Sequence, residues 1–357
     1  MKTKKIVSAL CCIMIAALVS VGCGNQEKSA STNLNQESGN SKYHIVTTIF
    51  PAYDWAKNVI GETPGKADIT MLLDKGVDLH SYQPSIEDIK KISTCDLFIY
   101  VGGESDGWVT DALAQATNKN MIVINLLDVL GDSVKAEEVK EGMQAEEHEH
   151  EHEHEEAEEE EHEHEHEEAE EEEHEHEEVE NDEHVWLSLK NAKVICSKIA
   201  DSMKKIDAAN AGKYDENLAK YNKELDALDK SYQDTVNSSD KKTLLFADRF
   251  PFRYMIEDYK LDYYAAFVGC SSETNASFET VSFLAKKVDE LGLSTIFTIE
   301  KSDGKIADTV KQNTKSKDQK IVVLDSMQSV TSDDIKKGET YLNVMKSNLD
   351  ILRESLK

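Results

Sequence analysis

The chain has 357 residues, with 70 Asp and Glu against 40 Lys and Arg, which gives a net charge of −30. Residues 146–183 hold 25 of the acidic residues and no Lys or Arg, so the rest of the chain is nearly balanced. The charge therefore belongs to one segment, which excludes a chain that is disordered or halophilic throughout. The absence of a basic domain also argues against nucleic acid as a partner.

The chain begins with the pattern of an export signal. Lysines precede an apolar run over residues 6–21, which is shorter than the roughly 20 apolar residues of a membrane-spanning helix. Gly22–Cys23 resembles the end of a lipobox, although Ser20 stands where a Leu-like residue is usual. We expect residues 1–22 to be a signal peptide and Cys23 to carry lipid, with simple secretion as the alternative. Residues 23–42 then read as a polar, flexible tether.

Three of the six cysteines lie in the first 23 residues, and Cys95, Cys196 and Cys270 remain. Their number is odd and their spacing contains no CxxC, so they predict neither a zinc–cysteine site nor a disulfide framework. The simplest interpretation is three small buried apolar residues. One disulfide and one free thiol are the alternative.

Residues 43–145 alternate short apolar runs with helical patterns, and we expect them to form an α/β lobe. Val- and Ile-rich strands separated by helices predict a parallel sheet built from βαβ units. The predicted strands are 43–50, 68–73, 96–102 and 121–127, and the predicted helices follow Pro51 and cover 86–92 and 108–116.

Residues 146–183 are a low-complexity insert of Glu and His in which EHEHEHEEAEEE occurs twice in succession. Imidazole is a common ligand for zinc, copper and nickel, and carboxylates add a negative potential that concentrates cations. We expect a disordered metal-capture loop, with a solvated charge run as the alternative. Its nine histidines are His148, His150, His152, His154, His162, His164, His166, His174 and His176.

Residues 185–236 carry helical periodicity with one possible break, and we expect residues 184–240 to form a long helix that links two lobes. Residues 241–357 then repeat the strand–helix alternation and predict a second α/β lobe. Its predicted strands are 242–247, 262–269, 294–300 and 320–325. The fold expected is α/β, with a parallel sheet flanked by helices in each lobe and a long spine helix between them. In such folds ligands bind at the carboxyl ends of the strands, here in the cleft between the lobes.

Three potential metal ligands lie at the ends of predicted strands or loops. His80 follows the second strand, His184 stands where the insert meets the linking helix, and Asp325 ends the last strand. A lone loop histidine is usually only solvent-exposed. Two His and one carboxylate from separate segments, however, suit a zinc site when they converge on one cleft.

The chain resembles the zinc- and manganese-binding solute-binding lipoproteins of ABC importers, particularly their zinc-uptake branch, over residues 43–357. The opening VTTIFPAYDWAKNVIG and the segment GVDLHSYQPSIEDIKK are similar to the family's first strand and first-ligand segment, with Leu79 in place of the usual Pro. DEHVWLSLKNA is similar to the second-ligand segment, and a His-rich insert just before it is typical of zinc members. The resemblance implies metal capture outside the cell, delivery to a membrane permease and a metal cleft between the lobes.

The resemblance also assigns metal ligands residue by residue. His80 and His184 match the first two ligands, and Asp325 matches a late carboxylate. The third position departs from the family, because Ala247 stands there and alanine cannot bind metal. Asp248 and Glu300 are weaker candidates for the missing ligand. For Asp248 the alternative is an ion pair with Arg249 or Arg253.

The function expected is extracytoplasmic, high-affinity capture of Zn²⁺ for the permease of an ABC importer, by a monomer held on the outer face of the membrane through its lipid. Mn²⁺ is the alternative cargo, since an oxygen-richer ligand set favours manganese. A metal buffer or storage lipoprotein, in which the insert does the binding, is a second alternative. A zinc-dependent hydrolase is less favoured, because the chain contains no HExxH or GxSxG motif. No enzymatic activity is expected, and nothing in the sequence independently supports the adhesin role given to some relatives.

Overall fold

A computed structural model describes residues 42–61, 67–144, 180–271 and 275–357. The predicted signal peptide, Cys23 and almost all of the tether lie outside these residues, as do all nine histidines of the insert. None of the helices in the described residues is long and apolar enough to cross a membrane.

The N-terminal lobe is built on a four-stranded parallel sheet with the strand order β2-β1-β3-β4. Buried apolar residues on both faces make these strands suited to a covered parallel sheet, and Leu97, Phe98 and Ile99 have no exposed surface. Pro51 lies in the first turn of the first helix, where the missing N–H costs nothing. The elements are β1 (Tyr43–Thr47), α1 (Phe50–Ile60), β2 (Ala67–Met71), α2 (Ile86–Thr94), β3 (Leu97–Tyr100), α3 (Val109–Ala114), β4 (Ile122–Asn125) and α4 (Leu126–Leu130).

The C-terminal lobe repeats this plan with a parallel sheet in the order β6-β5-β7-β8. All eight predicted strands are therefore present, and the expected two-lobed α/β fold is confirmed. The elements are β5 (Thr243–Phe250), α7 (Arg253–Tyr259), β6 (Asp262–Val268), α8 (Phe278–Leu291), β7 (Thr295–Thr298), α9 (Lys305–Asn313), β8 (Lys320–Val323), α10 (Ser332–Lys336) and α11 (Tyr341–Ser355).

The single long helix expected over residues 184–240 is instead two helices, α5 (Leu189–Ile206) and α6 (Ala211–Asn237). The chain breaks at Asp207, whose carboxylate accepts hydrogen bonds from the residues that follow it, Asn210 and Tyr214. Lys193 pairs with Asp226 and Lys204 with Asp215, so the two helices run antiparallel. The sequence pattern allowed for one break in this segment, and the structure places it at residues 207–210.

Helix α6 is the element that joins the two lobes. The side-chain amide of Asn217 donates to the carbonyl of Val59 in α1 at 3.1 Å, and the hydroxyl of Tyr232 donates to the carbonyl of Met345 in α11 at 2.6 Å. One continuous helix is thus bonded to both lobes, which keeps the cleft walls at a defined separation.

The insert is shorter than the expected range 146–183. Ala136 and Asn181 form an antiparallel bridge, with Glu137 N donating to Glu180 O at 2.9 Å. Asp182 and Glu183 are buried, each 2% exposed. Residues 180–183 therefore belong to the folded protein and not to a disordered insert.

The three cysteines outside the N-terminal segment are all free thiols. Cys95 and Cys196 are fully buried, as expected for small apolar residues. Cys270 is only partly buried and lies at the cleft. The alternative of a disulfide among them is wrong.

Candidate metal centre

His80 lies in a short 3₁₀ turn, Leu79–Ser81, beyond the carboxyl end of β2. The Oδ1 atom of Asp78 caps this turn by accepting a hydrogen bond from the backbone N–H of His80 at 3.0 Å. Leu79 is 1% exposed and anchors the turn in the core, so the neighbouring imidazole is directed into the cleft.

His184 is fully buried at the start of a second 3₁₀ turn, Val185–Leu187. Trp186 fixes this turn, since its Nε1 donates to the carbonyl of Ser326 at 2.8 Å and its own carbonyl accepts from the hydroxyl of Tyr341 at 2.7 Å. Truncating a buried Trp to Ala typically costs about 3–5 kcal/mol. His184 is therefore presented by one of the most strongly anchored turns in the protein.

The two imidazole rings meet in the cleft. Nε2 of His80 lies 3.2 Å from Nε2 of His184, and the ring centroids are 5.1 Å apart. The opposite nitrogen of each ring faces a polar partner, Asp182 Oδ1 at 3.0 Å for His184 and Ser105 Oγ at 2.7 Å for His80. Both Nε2 atoms are therefore directed at one common point.

A buried carboxylate stands behind the pair. Glu183 Oε2 lies 3.6 Å from Nδ1 of His80 and makes no hydrogen bond, while Oε1 accepts from the backbone N–H of Ser105 at 3.0 Å. Gly103 makes room for this carboxylate, because a Cβ there would lie 2.3 Å from Oε1. Burial raises the pKa of Glu183 above its ordinary value.

The charges around the two histidines act on them in opposite directions. Burial opposes the charged form of His184, but the carboxylates of Asp182, Glu183 and Glu137 together outweigh it and raise the pKa of the ring. Burial, together with the charge of His184, lowers the pKa of His80 to about 3. At moderately acidic pH a proton is therefore held by His184, and His80 stays neutral and able to bind metal.

Cys270 is the third ligand-type side chain at this point. Its Sγ, one ring nitrogen of His80 and one ring nitrogen of His184 all lie within 4.8 Å of one another. Cys270 is the second residue after β6, and its backbone N–H donates to Glu137 Oε1 at 3.0 Å. The preceding Gly269 allows the turn to pass close to His184, because a Cβ there would lie 3.0 Å from the ring.

The carboxylates expected at the site lie elsewhere in the cleft. Within the described residues no three-membered group of His, Cys, Asp and Glu at metal-ligand distances contains Asp248, Glu300 or Asp325. Asp248 accepts from the backbone of Arg249 and Ile299.

Glu300 and Asp325 are also engaged by their own lobe. Glu300 accepts from the backbone and hydroxyl of Ser326 and from the backbone of Gln328. Asp325 Oδ1 accepts from Met327 N at 2.7 Å, and burial together with the charge of Glu300 raises the pKa of Asp325 to about 7.

The alternative role for Asp248, an ion pair with Arg249 or Arg253, is wrong. The guanidinium of Arg249 instead pairs with Asp78 of the other lobe at 2.8 Å, and Arg253 pairs with Glu138 and Glu257. Burial alone would raise the pKa of Asp78, but the positive charge of Arg249 helps to lower it below its ordinary value.

A cavity of about 510 Å³ opens between the two lobes, next to the turn that carries His80, and Asp78 and Ser81 on either side of His80 line it. Asp248, Arg249, Glu300 and Lys301 from the C-terminal lobe face Gly76 and Asp78 from the N-terminal lobe across it. Lys301 Nζ donates to the carbonyl of Gly76 at 2.9 Å, so this lysine, like Arg249, bridges the two lobes.

Comparison with known protein families shows to which family this chain belongs. Residues 45–355 match the family described as ZnuA, zinc-uptake complex component A periplasmic. The chain belongs to the ZnuA family. Two curated relatives show how far the likeness extends.

The zinc-binding protein AdcA of Streptococcus pyogenes serotype M6 is 30% identical to this ZnuA-family chain over 326 residues, which are 90% of this chain and 58% of AdcA. The chain thus spans under two thirds of AdcA's length. The high-affinity zinc uptake system protein ZnuA of Bacillus subtilis is 29% identical over 350 residues and aligns over 96% of its own length.

Two solved structures share the fold of this ZnuA-family chain. The Zn(II)-bound ZnuA-like domain of AdcA from Streptococcus pneumoniae has a TM-score of 0.65 at 25% identity and matches 88% of this chain and 99% of its own. The metal-dependent lipoprotein YcdH of Bacillus subtilis has a TM-score of 0.66 at 25% identity, with coverages of 88% and 99%.

Sequence reasoning missed Cys270, Glu137 and Asp182. The available signal for Cys270 was its position directly after a predicted strand, at the edge of the sheet where ZnuA-family chains are expected to bind their ligand. Glu137 and Asp182 gave no such signal, since they flank a highly acidic insert and resemble its other carboxylates. Ala247 is buried in the apolar core of the C-terminal lobe, so the position where a third ligand was expected faces away from the cleft.

Proposed function

We propose that this chain captures a divalent metal, most favourably Zn²⁺, outside the cytoplasm and delivers it to the permease of an ABC importer. The observation that carries this proposal is the facing pair of imidazoles. Two nitrogens bound to one zinc ion in tetrahedral geometry lie about 3.3 Å apart, given Zn–N distances of roughly 2.05 Å. The Nε2 atoms of His80 and His184 are 3.2 Å apart, which is close to the spacing of two zinc-bound nitrogens.

The surroundings of the pair support metal binding over a simple hydrogen bond between rings. Metal-bound histidines commonly have their second nitrogen held by a carboxylate or another polar group, which fixes the ring and its tautomer. Asp182 holds His184 in this way, and Ser105 and Glu183 lie against the second nitrogen of His80. The site is thus organised around the metal-binding nitrogens.

Zinc is the favoured cargo on both chemical and comparative grounds. Two imidazoles suit zinc better than manganese, which prefers oxygen ligands. The named relatives are zinc-binding or zinc-uptake proteins, and one of the solved structures holds Zn(II). We propose manganese only as a weaker alternative.

Delivery to a permease and a position outside the cytoplasmic membrane follow from the family description, which names a periplasmic component of a zinc-uptake complex. A monomer anchored through lipid on Cys23 remains part of the proposal, and a pneumococcal relative is named a lipoprotein. The Glu/His insert is proposed to concentrate metal near the cleft, since Asn181 and Asp182 bring its C-terminal end to the site. No catalytic role is proposed.

Zinc uptake by living cells tests this function. A strain lacking the gene should take up radioactive zinc slowly at low external zinc, and the intact gene should restore uptake. The variants His80→Ala and His184→Ala should fail to restore it, whereas His44→Ala, on the exposed start of β1, should succeed. Restoration by either cleft variant would reject the proposed site, and normal uptake without the gene would reject the proposed function.

A further inference from the structure

We propose that Cys270 supplies a thiolate as the third protein ligand of the captured metal. This inference rests on the proposed function, because it concerns the same site and the same cargo. It replaces the carboxylates expected from the sequence with a sulfur donor and so defines a His₂Cys ligand set.

The first argument is geometric. In a tetrahedral zinc site a sulfur about 2.3 Å from the metal lies roughly 3.6 Å from each ligating nitrogen. Cys270 Sγ is already within 4.8 Å of one ring nitrogen of His80 and one ring nitrogen of His184. Among the described residues this is the one group of three ligand-type side chains that meets this distance criterion.

The second argument is the way in which the chain positions the sulfur. Cys270 is the second residue after β6, at the carboxyl edge of the sheet. Its backbone is fixed by Glu137 Oε1, and Gly269 lets the loop approach the His184 ring. The hydrogen bond thus fixes the turn, and the absence of a side chain at Gly269 leaves room for it beside the His184 ring.

The third argument is the contrast with the other free thiols of the described chain. Cys95 and Cys196 are fully buried in the main apolar core, and Cys95 Sγ contacts the carbonyl of Ile92 and the sulfur of Met121. Neither belongs to a group of metal-ligand type. Cys270 is the partly accessible thiol and lies beside two imidazoles.

A thiolate defines the class of metal that the site accepts. Sulfur with two imidazoles favours Zn²⁺, Co²⁺, Cd²⁺ and Cu⁺ over Mn²⁺, Mg²⁺ and Ca²⁺, which prefer oxygen. On binding a divalent metal, the thiol releases its proton to solvent and the sulfur forms the metal bond, so the thiolate neutralises one of the two positive charges that the metal brings. The site therefore selects against manganese through its own ligand chemistry.

Cobalt substitution tests the sulfur ligand directly, because thiolate bound to Co²⁺ gives an intense charge-transfer absorption in the near ultraviolet that His and Glu ligands do not give. The protein used is residues 24–357, which retains the whole described fold and the insert. One equivalent of Co²⁺ should produce this band in the parent and in Cys95→Ala. The band should vanish in Cys270→Ser, which preserves the size of the side chain.

Zinc affinity, measured by competition with a chromogenic chelator, completes the test. Cys270→Ser should lower it by at least tenfold, and Cys270→His, which restores a ligand, should recover most of the loss without the charge-transfer band. Thermal unfolding of the metal-free variants shows whether each of them folds. If Cys270→Ser does not fold, the presence or absence of the charge-transfer band in the parent protein still decides whether a thiolate binds the metal.

The outcomes separate this inference from the proposed function. Tight binding of one metal by the parent without a thiolate band, or a band that survives in Cys270→Ser, overturns the Cys270 assignment and leaves metal capture at the two histidines intact. Metal binding that is unaffected by His80→Ala and His184→Ala overturns both.

Discussion

Asp182 contacts His184 through one carboxylate oxygen in two ways at once: Oδ1 accepts from the backbone N–H of His184 at 2.8 Å and lies 3.0 Å from ring Nδ1. Because both atoms belong to the same residue, the contact fixes the backbone and the orientation of the imidazole together. The Nε2 atom is thereby held towards His80 and the cleft.

Asp182→Asn should therefore weaken zinc binding although Asp182 is not itself a proposed ligand. Loss of a carboxylate behind a metal-bound histidine typically lowers metal affinity by about 10–100-fold. Asp350→Asn, at an exposed position of α11 that does not line the cleft cavity, is the control and should bind zinc as the parent does. An unchanged affinity in Asp182→Asn would show that this contact does not support the ligand.

The two histidines should titrate at very different pH values in the metal-free protein. Since the carboxylates of Asp182, Glu183 and Glu137 raise the pKa of His184 against burial, the ring should take up a proton as pH falls through a value above 6.5. His80 should remain neutral until about pH 3. Apparent zinc affinity should thus fall with decreasing pH once His184 protonates, because the proton and the metal compete for the ring.

Nitrogen-15 chemical shifts of the imidazole rings, followed from pH 4 to pH 9, measure these two titrations separately. If His80 instead took up its proton near the ordinary pKa of histidine, this would contradict the lowering of its pKa by burial and by the charge of His184.

A buried carboxyl next to the site should make the metal-free fold less stable as pH rises. Burial raises the pKa of Asp106 from 3.8 to about 7, and the charge of Glu183 adds to the effect. The folded state thus binds a proton more tightly than the unfolded chain. The resulting stabilisation is complete below about pH 4 and is lost as pH rises towards 7.

Asp106→Asn mimics the protonated form, so it should raise the free energy of unfolding at pH 8 by about 2–4 kcal/mol and have little effect at pH 4. Denaturant unfolding of the metal-free protein at the two pH values measures this, with Asp303→Asn as the exposed control. A destabilisation of Asp106→Asn at pH 8 would show that the charged form is favoured in the fold.

The sequence predicted the two parallel sheets for identifiable physical reasons, and it singled out His80 and His184, which the structure brings together. Strands buried on both faces produce apolar runs such as Leu97–Ile99, and parallel strands place their following loops at one edge. His80 could be singled out because it follows the second strand, and His184 because it lies where the insert meets the helical segment.

The missed features depend on contacts between distant segments. The assignment of Asp248 followed from its place beside Ala247 without information on which way β5 faces. Cys270 meets the histidines only because the turn after β6 approaches a segment 86 residues earlier in the chain. The periodicity of a sequence gives no information on the distance between segments that are far apart in the chain.

The three carboxylates expected from the sequence should contribute less to binding than the histidines. Each of Asp248→Asn, Glu300→Gln and Asp325→Asn should change zinc affinity by less than about threefold, because their oxygens are engaged by nearby backbone groups. Calorimetric titration of the three variants measures this. A tenfold loss in any one would show that its carboxylate moves into the metal site on binding.

Zinc binding by a protein without the insert tests the central claim most directly. Replacing residues 146–178 by a short Gly/Ser linker removes all nine insert histidines and keeps Asp182 and Glu183, which are part of the folded site. Competition with a chromogenic zinc chelator should show one tight site per chain in this protein. His80→Ala or His184→Ala in the same background should lower its affinity by at least about 100-fold, more than the loss of a supporting carboxylate. Loss of all tight binding on replacement of the insert, or parental affinity in both histidine variants, would contradict capture at the cleft.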